Sequence, residues 1–259
     1  MTGQEDDLYS LKPMSSFSFP LSRVNRLRRS AARARGLPPP FERPGQPSGW
    51  VASPYDANKL VGVFDTLRLK AGFALHAYEY RSGGDGNGII WAVPADAPLI
   101  LPEDCPKLEG MFLSPPRPLE AVPLMQAIEG DGSPWSYLSA SILCREAGEF
   151  AASWHGARWT SQTIFSKAPR QGETRSRLDD PWELGEDAPL GDWTWEHTAP
   201  SSWEPSFVES GATRKVVLHI HDMLGGEVVY RATDTYASGS YDCETTTTVL
   251  CTGRRAFVY

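Results

Sequence analysis

The segment Leu218-His219-Ile220-His221-Asp222 carries two histidines spaced to act together. In an extended strand alternate side chains share a face, so His219 and His221 would project together from Cα atoms about 6.7 Å apart. Imidazole binds metal ions or moves protons near neutral pH, and a neighbouring carboxylate fixes its tautomer. The Gly225-Gly226 pair suits a two-residue hairpin turn. Counting outward from that turn sets Asp222 opposite Val229, His221 opposite Tyr230, His219 opposite Ala232 and Val217 opposite Asp234. One face then gathers His219, His221, Tyr230 and Asp234. The two histidines would chelate one ion, Asp234 would orient them or add a third ligand, and Tyr230 would donate a proton. The opposite face, with Val216, Leu218, Ile220 and Val229, suits a core, although Asp222 and Arg231 share it near the turn. Two histidines are equally at home on a solvated sheet surface without any chemical role. A slip of one residue would also scatter the cluster.

His155, in Trp154-His155-Gly156, is the remaining imidazole that packing could bring to this hairpin. It falls where a long helix should end, and there a histidine bonds the last carbonyls and complements the helix dipole. His76 and His197 have no partner that spacing can place. Gly83-Gly84-Asp85-Gly86-Asn87-Gly88 lacks the Lys-Ser/Thr ending of a phosphate loop and is followed by the strand-like Ile89-Ile90-Trp91. Its Asp85 and Asn87 fall short of a calcium loop, so the tract reads as a hairpin tip. No GxSxG motif occurs. Cys105, Cys144, Cys243 and Cys251 form no CxxC pair, so neither structural zinc nor a disulfide framework is indicated, and no motif names a cofactor.

The elements that would position these residues are legible in part. Ser22 to Arg35 suits a short basic helix that Gly36 and Pro38-Pro39-Pro40 end. Residues 1–48 therefore read as a basic, proline-rich arm, separable from one globular domain over 49–259. Asp56 to Phe64 suits a short helix. Leu67 to Tyr80 alternates as one strand and pairs through the glycine tract with Ile89 to Val93. Seven prolines between Pro94 and Pro118 mark an irregular surface crossing. A short helix over Pro123 to Glu129 follows, then a longer one that Ser133 caps and Pro134 begins, reaching Trp154. Val216 to Asp222, Val228 to Tyr236, Tyr241 to Cys251 and Ala256 to Tyr259 read as four consecutive antiparallel strands. The fold class is thus α+β, an antiparallel sheet made of a C-terminal four-strand meander plus an N-terminal hairpin, packed with a few helices.

Charge and composition narrow the function. Hydrophobic residues make up 41%, enough for a sizeable core, and the net charge is -7. No stretch reaches the roughly 20 apolar residues of a bilayer-spanning helix. Glu5, Asp6 and Asp7 stand where a secretory leader would be basic, so a soluble cytoplasmic protein with reduced thiols is expected. Lys12 to Phe41 carries seven bases and no acid, whereas Asp179 to Ser210 carries nine acids and no Lys or Arg. The acidic remainder offers no basic groove to continue a path for nucleic acid. The acids around Trp193, Trp195 and Trp203 oppose it too. Two functions then compete. The first is a protein-interaction module that docks a protein partner through the basic arm or the tryptophan-rich acidic segment. The second is a small metal-dependent or acid–base hydrolase acting through the histidine face.

Overall fold

A computed structural model describes residues 15–36, 48–82, 85–153, 157–169 and 193–253. In chain order these form β1 (Ser15–Ser18), α1 (Leu21–Arg35), β2 (Gly49–Ala52), α2 (Asn58–Val61), β3 (Leu67–Leu69), β4 (Phe73–Ser82) and β5 (Asp85–Pro94). Next come β6 (Val122–Pro123), β7 (Ile128–Gly130), α3 (Pro134–Gly148), β8 (Thr163–Phe165) and β9 (Thr194–Trp195). The chain continues with β10 (Ser206–Ser210), β11 (Thr213–Asp222), β12 (Val228–Tyr236) and β13 (Cys243–Thr252). The architecture is α+β and dominated by antiparallel sheet. No described helix is long and apolar enough to cross a membrane.

The largest sheet runs β1-β10-β11-β12-β13-β9, with β8 added beside β11. The meander β11-β12-β13 is as the Val- and Thr-rich runs predict. Among the described residues β10 and the short strands extend the sheet, and the strand expected over Ala256 to Tyr259 lies outside the described residues. A second sheet, β2-β4-β5-β6, contains the expected glycine hairpin, with Ser82 opposite Asp85. Gly86 and Gly88 sit within β5, and their role is close approach. A Cβ on Gly86 would lie 2.6 Å from the Ala151 carbonyl, and one on Gly88 2.6 Å from the Phe150 ring. The chain leaving α3 therefore presses on a strand that only glycine can keep bare.

The single strand expected over Leu67 to Tyr80 is two. Gly72 takes φ +85°, a turn separates β3 from β4, and β3 pairs with β7 in a small sheet of its own. The helix expected over Pro123 to Glu129 is β6, a 3-10 turn at Leu124–Ala127, and β7. The longer helix begins as expected, with Ser136 N donating to Ser133 Oγ at 3.2 Å and Pro134 in the first turn, but it ends at Gly148 rather than reaching Trp154.

α3 packs against α1, α2, β5, β10 and β11, so it is covered on several sides. It therefore lacks the single apolar stripe of a surface helix. Its buried serines find partners: Ser136 Oγ lies 2.8 Å from Tyr241 OH, and Ser141 Oγ 2.7 Å from Tyr236 OH. Leu218 and Ile220 point into the main core and are fully buried, as the sequence pattern requires. Leu218→Ala is expected to cost about 2–5 kcal/mol in denaturant titration, and a loss under about 0.5 kcal/mol would place that face in solvent.

The basic arm is in part a packed element. β1 pairs with β10, and Phe19, Val24 and Ala31 are buried in the main core. Arg28 and Arg35 turn inward, Arg28 Nη2 to the carbonyls of Trp159 (3.0 Å) and Gln162 (3.1 Å), and Arg35 Nη1 to the Glu149 carbonyl (2.8 Å). The arm's apolar residues are few, but its arginines supply the donors that close one end of the core.

Candidate functional site

The turn between β11 and β12 decides where the sequence-predicted residues go. Residues 223–227 form a longer loop than the expected two-residue turn, with Leu224 N donating to Asp222 Oδ1 at 2.9 Å. Asp222 consequently pairs with Val228, His221 with Val229, His219 with Arg231, Ile220 with Tyr230 and Val216 with Asp234. The register is one residue from the expected one, and a one-residue slip moves every side chain of a strand to the other face. His219 and His221 keep one face, while Tyr230 and Asp234 share the other with Val216, Leu218 and Ile220. The four-residue cluster is thus divided between two sides of the sheet. His155 lies outside the described residues.

The histidine face is covered. At His219 and His221, β11 is flanked on one side by β12 and on the other by β8. Trp193 and Trp203 pack over the same face with Val229, Leu250 and Cys251. His219 Nδ1 donates to the Trp203 carbonyl at 3.1 Å, and its ring lies 4.8 Å from that of Trp203. Burial holds the His219 pKa below the ordinary imidazole value, which favours the neutral ring. His221 stacks on Phe165 at 5.2 Å, and its Nε2 lies 3.2 Å from Glu227 Oε1. Both imidazoles thus point a nitrogen at a protein oxygen. Among the described residues no three His, Cys, Asp or Glu side chains are placed to hold a metal ion.

Asp234 and Tyr230 belong to a buried polar belt that joins α1, α3 and residues 157–163 to the large sheet. Arg145 clasps Asp234 through Nη1 (2.6 Å) and Nη2 (3.0 Å), and Thr245 Oγ1 donates to the same carboxylate at 2.7 Å. Burial alone would raise the Asp234 pKa. The Arg145 charge and these hydrogen bonds outweigh it and hold the carboxyl below its usual range. Asp222 accepts from Arg158 Nε at 2.6 Å and from Gln162 Nε2 at 2.8 Å. Glu149 accepts from Thr160 N at 2.9 Å and Thr160 Oγ1 at 2.6 Å, and Glu146 from Trp159 Nε1 at 2.9 Å. Burial raises the Glu146 carboxyl, and burial likewise raises the Tyr230 phenol. These carboxylates are each bonded to protein donors, an arrangement that fixes elements together and leaves little capacity to move a substrate proton.

A different constellation stands on the second sheet. Residues 106–117 double back as a strap, with Leu108 N bonded to Pro115 O (3.0 Å) and Arg117 N to Pro106 O (2.8 Å). Trp91 Nε1 donates to Pro116 O at 2.8 Å and Trp50 Nε1 to Leu113 O at 2.9 Å, pinning the strap to β5 and β2. Arg117 closes its base through two bonds to the Ala121 carbonyl, at 3.1 and 2.9 Å. At the tip Met111 is 50% and Phe112 77% exposed, and Leu119 beyond the strap is 74% exposed. Phe17, Leu99, Leu101, Met111, Phe112, Leu119 and Trp195 are the large apolar side chains exposed among the described residues, and all but Phe17 and Trp195 lie between 99 and 119. Leu113, Ser114 and Glu120 take left-handed φ of 63°, 42° and 60°, a conformation that costs a non-glycine residue about 1–3 kcal/mol. The sequence signal was an apolar Met111-Phe112-Leu113 triplet between Gly110 and Pro115-Pro116, inside a crossing whose prolines suggested only irregularity.

No family model, curated protein or solved structure matches the chain. Function must therefore be read from the molecule's own surfaces.

Proposed function

We propose that this chain is a protein-interaction module whose docking element is the strap at 106–117, with Phe112 and Met111 as its anchors. The observation that carries this reading is the coincidence, on one braced crossing, of exposed large apolar side chains with strained backbone. A soluble surface bears single apolar residues without consequence, but an aromatic held out by a rigid scaffold is the usual form of a binding anchor. Because the strap is already ordered, little conformational entropy opposes docking.

The surroundings describe the partner. Asp96, Glu103, Asp104, Glu109 and Glu120 are exposed along the crossing, against exposed Lys107 and Arg117, and Arg117 is engaged with Ala121. The matching surface is an apolar pocket on a protein, rimmed by Lys or Arg. The two segments expected to dock partners serve this less well. Arg28 and Arg35 of the arm face inward, and Trp193 and Trp203 of the acidic segment are buried. The hydrolase reading loses its acid and its proton donor to the opposite face of the sheet.

A photo-reactive residue placed at Phe112 is expected to capture one discrete protein. With that protein purified, Phe112→Ala should weaken binding by roughly 30-fold or more, the effect of removing about 2 kcal/mol at an anchor, while leaving Tm unchanged. Equal affinity for Phe112→Ala would end the proposal. So would sedimentation with lipid vesicles that depends on Phe112 and needs no protein.

A further inference from the structure

Cys144 on α3 and Cys243 at the start of β13 are half-buried, whereas Cys105 and Cys251 are buried. The contacts on either side of Cys144 set it over Cys243. Ser141, three residues earlier in the helix, meets Tyr236 OH at 2.7 Å, and Tyr236 is the cross-strand partner of Cys243. Arg145, the next residue, clasps Asp234, which pairs across the sheet with Thr245. Cys243 Sγ lies 3.9 Å from Thr245 Oγ1. Between these anchors the two thiols lie close enough that each is the largest influence on the other's acidity. The half-buried thiols of the chain are thus the ones that meet.

We propose that Cys144 and Cys243 form a reversible redox pair, converted by hydrogen peroxide to an intramolecular disulfide that ties α3 to β13. The neighbouring Cys144 thiol holds the Cys243 pKa below the ordinary thiol range, while Cys243 and burial push Cys144 up. Cys243 is therefore the attacking sulfur. Its thiolate attacks one peroxide oxygen; the S–O bond forms, the O–O bond breaks, and hydroxide leaves with the former thiol proton as water. The Cys144 sulfur then attacks the sulfenic Cys243; the S–S bond forms, the S–O bond breaks, and a second water departs with the Cys144 proton. Two thiols and one peroxide give one disulfide and two waters, the sulfurs losing the two electrons that the peroxide gains. A dithiol reductant reverses the product.

The closed loop would span about a hundred residues, long enough for a substantial constraint on the unfolded chain. The test is to treat the folded, reduced chain with hydrogen peroxide, map the thiols by mass spectrometry and follow melting. The expected product is one Cys144–Cys243 disulfide, with Cys105 and Cys251 still free and Tm raised by roughly 5–15 °C. In Cys144→Ser, Cys243 should stop as a sulfenic acid that dimedone traps; if that variant does not fold, Cys144→Ala serves. Sulfinic acid accumulating on Cys243 of the unaltered chain without a disulfide would overturn the proposal. So would a disulfide involving Cys105 or Cys251, or a Cys243 that alkylates freely yet never cross-links.

Discussion

Asp234→Ala is expected to lower stability by about 3–5 kcal/mol, the cost of breaking a buried ion pair from one side. Asp234 is fully buried on a strand of the main core, and Arg145 reaches it from α3 with two nitrogens. Removing the carboxylate leaves the guanidinium in a cavity with Ser141 O as its remaining near acceptor, at 2.9 Å. Replacing both partners with apolar residues of similar volume, Arg145→Met with Asp234→Leu, should recover much of the loss, since desolvating the pair is itself costly. The pH dependence has a definite sign. The folded carboxyl sits below its ordinary value of 3.8, so its contribution is complete above that value and is lost as pH falls through the folded pKa. The gap between wild type and Asp234→Ala should therefore close in acid. Glu146 runs the opposite way. Burial raises its pKa, so its ionised form opposes folding near neutrality, and that opposition fades as pH falls through the raised value. Denaturant titration at several pH values checks both statements, and an alanine variant within about 1 kcal/mol of wild type at neutral pH would show that the pair is solvated.

The same residue shows how far sequence reasoning reaches. Alternation alone placed Leu218 and Ile220 in the core, because period-two burial is a property of one strand. Asp234 and Tyr230 needed the relation between two strands, and that depended on the loop. Gly225-Gly226 suggested a two-residue turn, yet Asp222 draws in the Leu224 amide and the loop takes the whole of 223–227. That one-residue change of register moved Asp234 from the expected metal face to an arginine clasp. The break at Gly72 was visible only as a weak point in a strand, because nothing local shows that β3 has a different partner from β4. The strap was harder still. Prolines 115, 116 and 118 are buried and Pro116 O is bonded to Trp91 of β5, a tertiary fact that composition reads as looseness.

A chain begun at residue 48 is expected to lose cooperative folding, although its first residues look dispensable from composition. The deletion would strip Phe19, Val24 and Ala31 from the main core, where a fully buried Val or Phe is worth about 1.5–3 kcal/mol. It would also remove β1 from the edge of β10 and take the aromatic-stacked Arg28, 3.8 Å over the Trp159 ring, off that side chain. The greater loss is electrostatic. Arg35 reaches Glu149 Oε2 at 3.1 Å and Glu146 Oε2 at 3.4 Å, both carboxylates being buried, so its absence strands two charges inside the protein. A buried carboxylate without its partner costs several kcal/mol, and a domain of ordinary stability has only about 5–15 kcal/mol in all. Arg35→Ala isolates this effect within the full chain and should by itself cost about 3–5 kcal/mol. The shortened chain should bind a hydrophobic dye and melt without a sharp transition. A sharp transition within about 5 °C of the full chain's Tm, a shift of roughly 1–2 kcal/mol, would return the arm to the status of an appendage and leave the inward turn of Arg28 and Arg35 without energetic consequence.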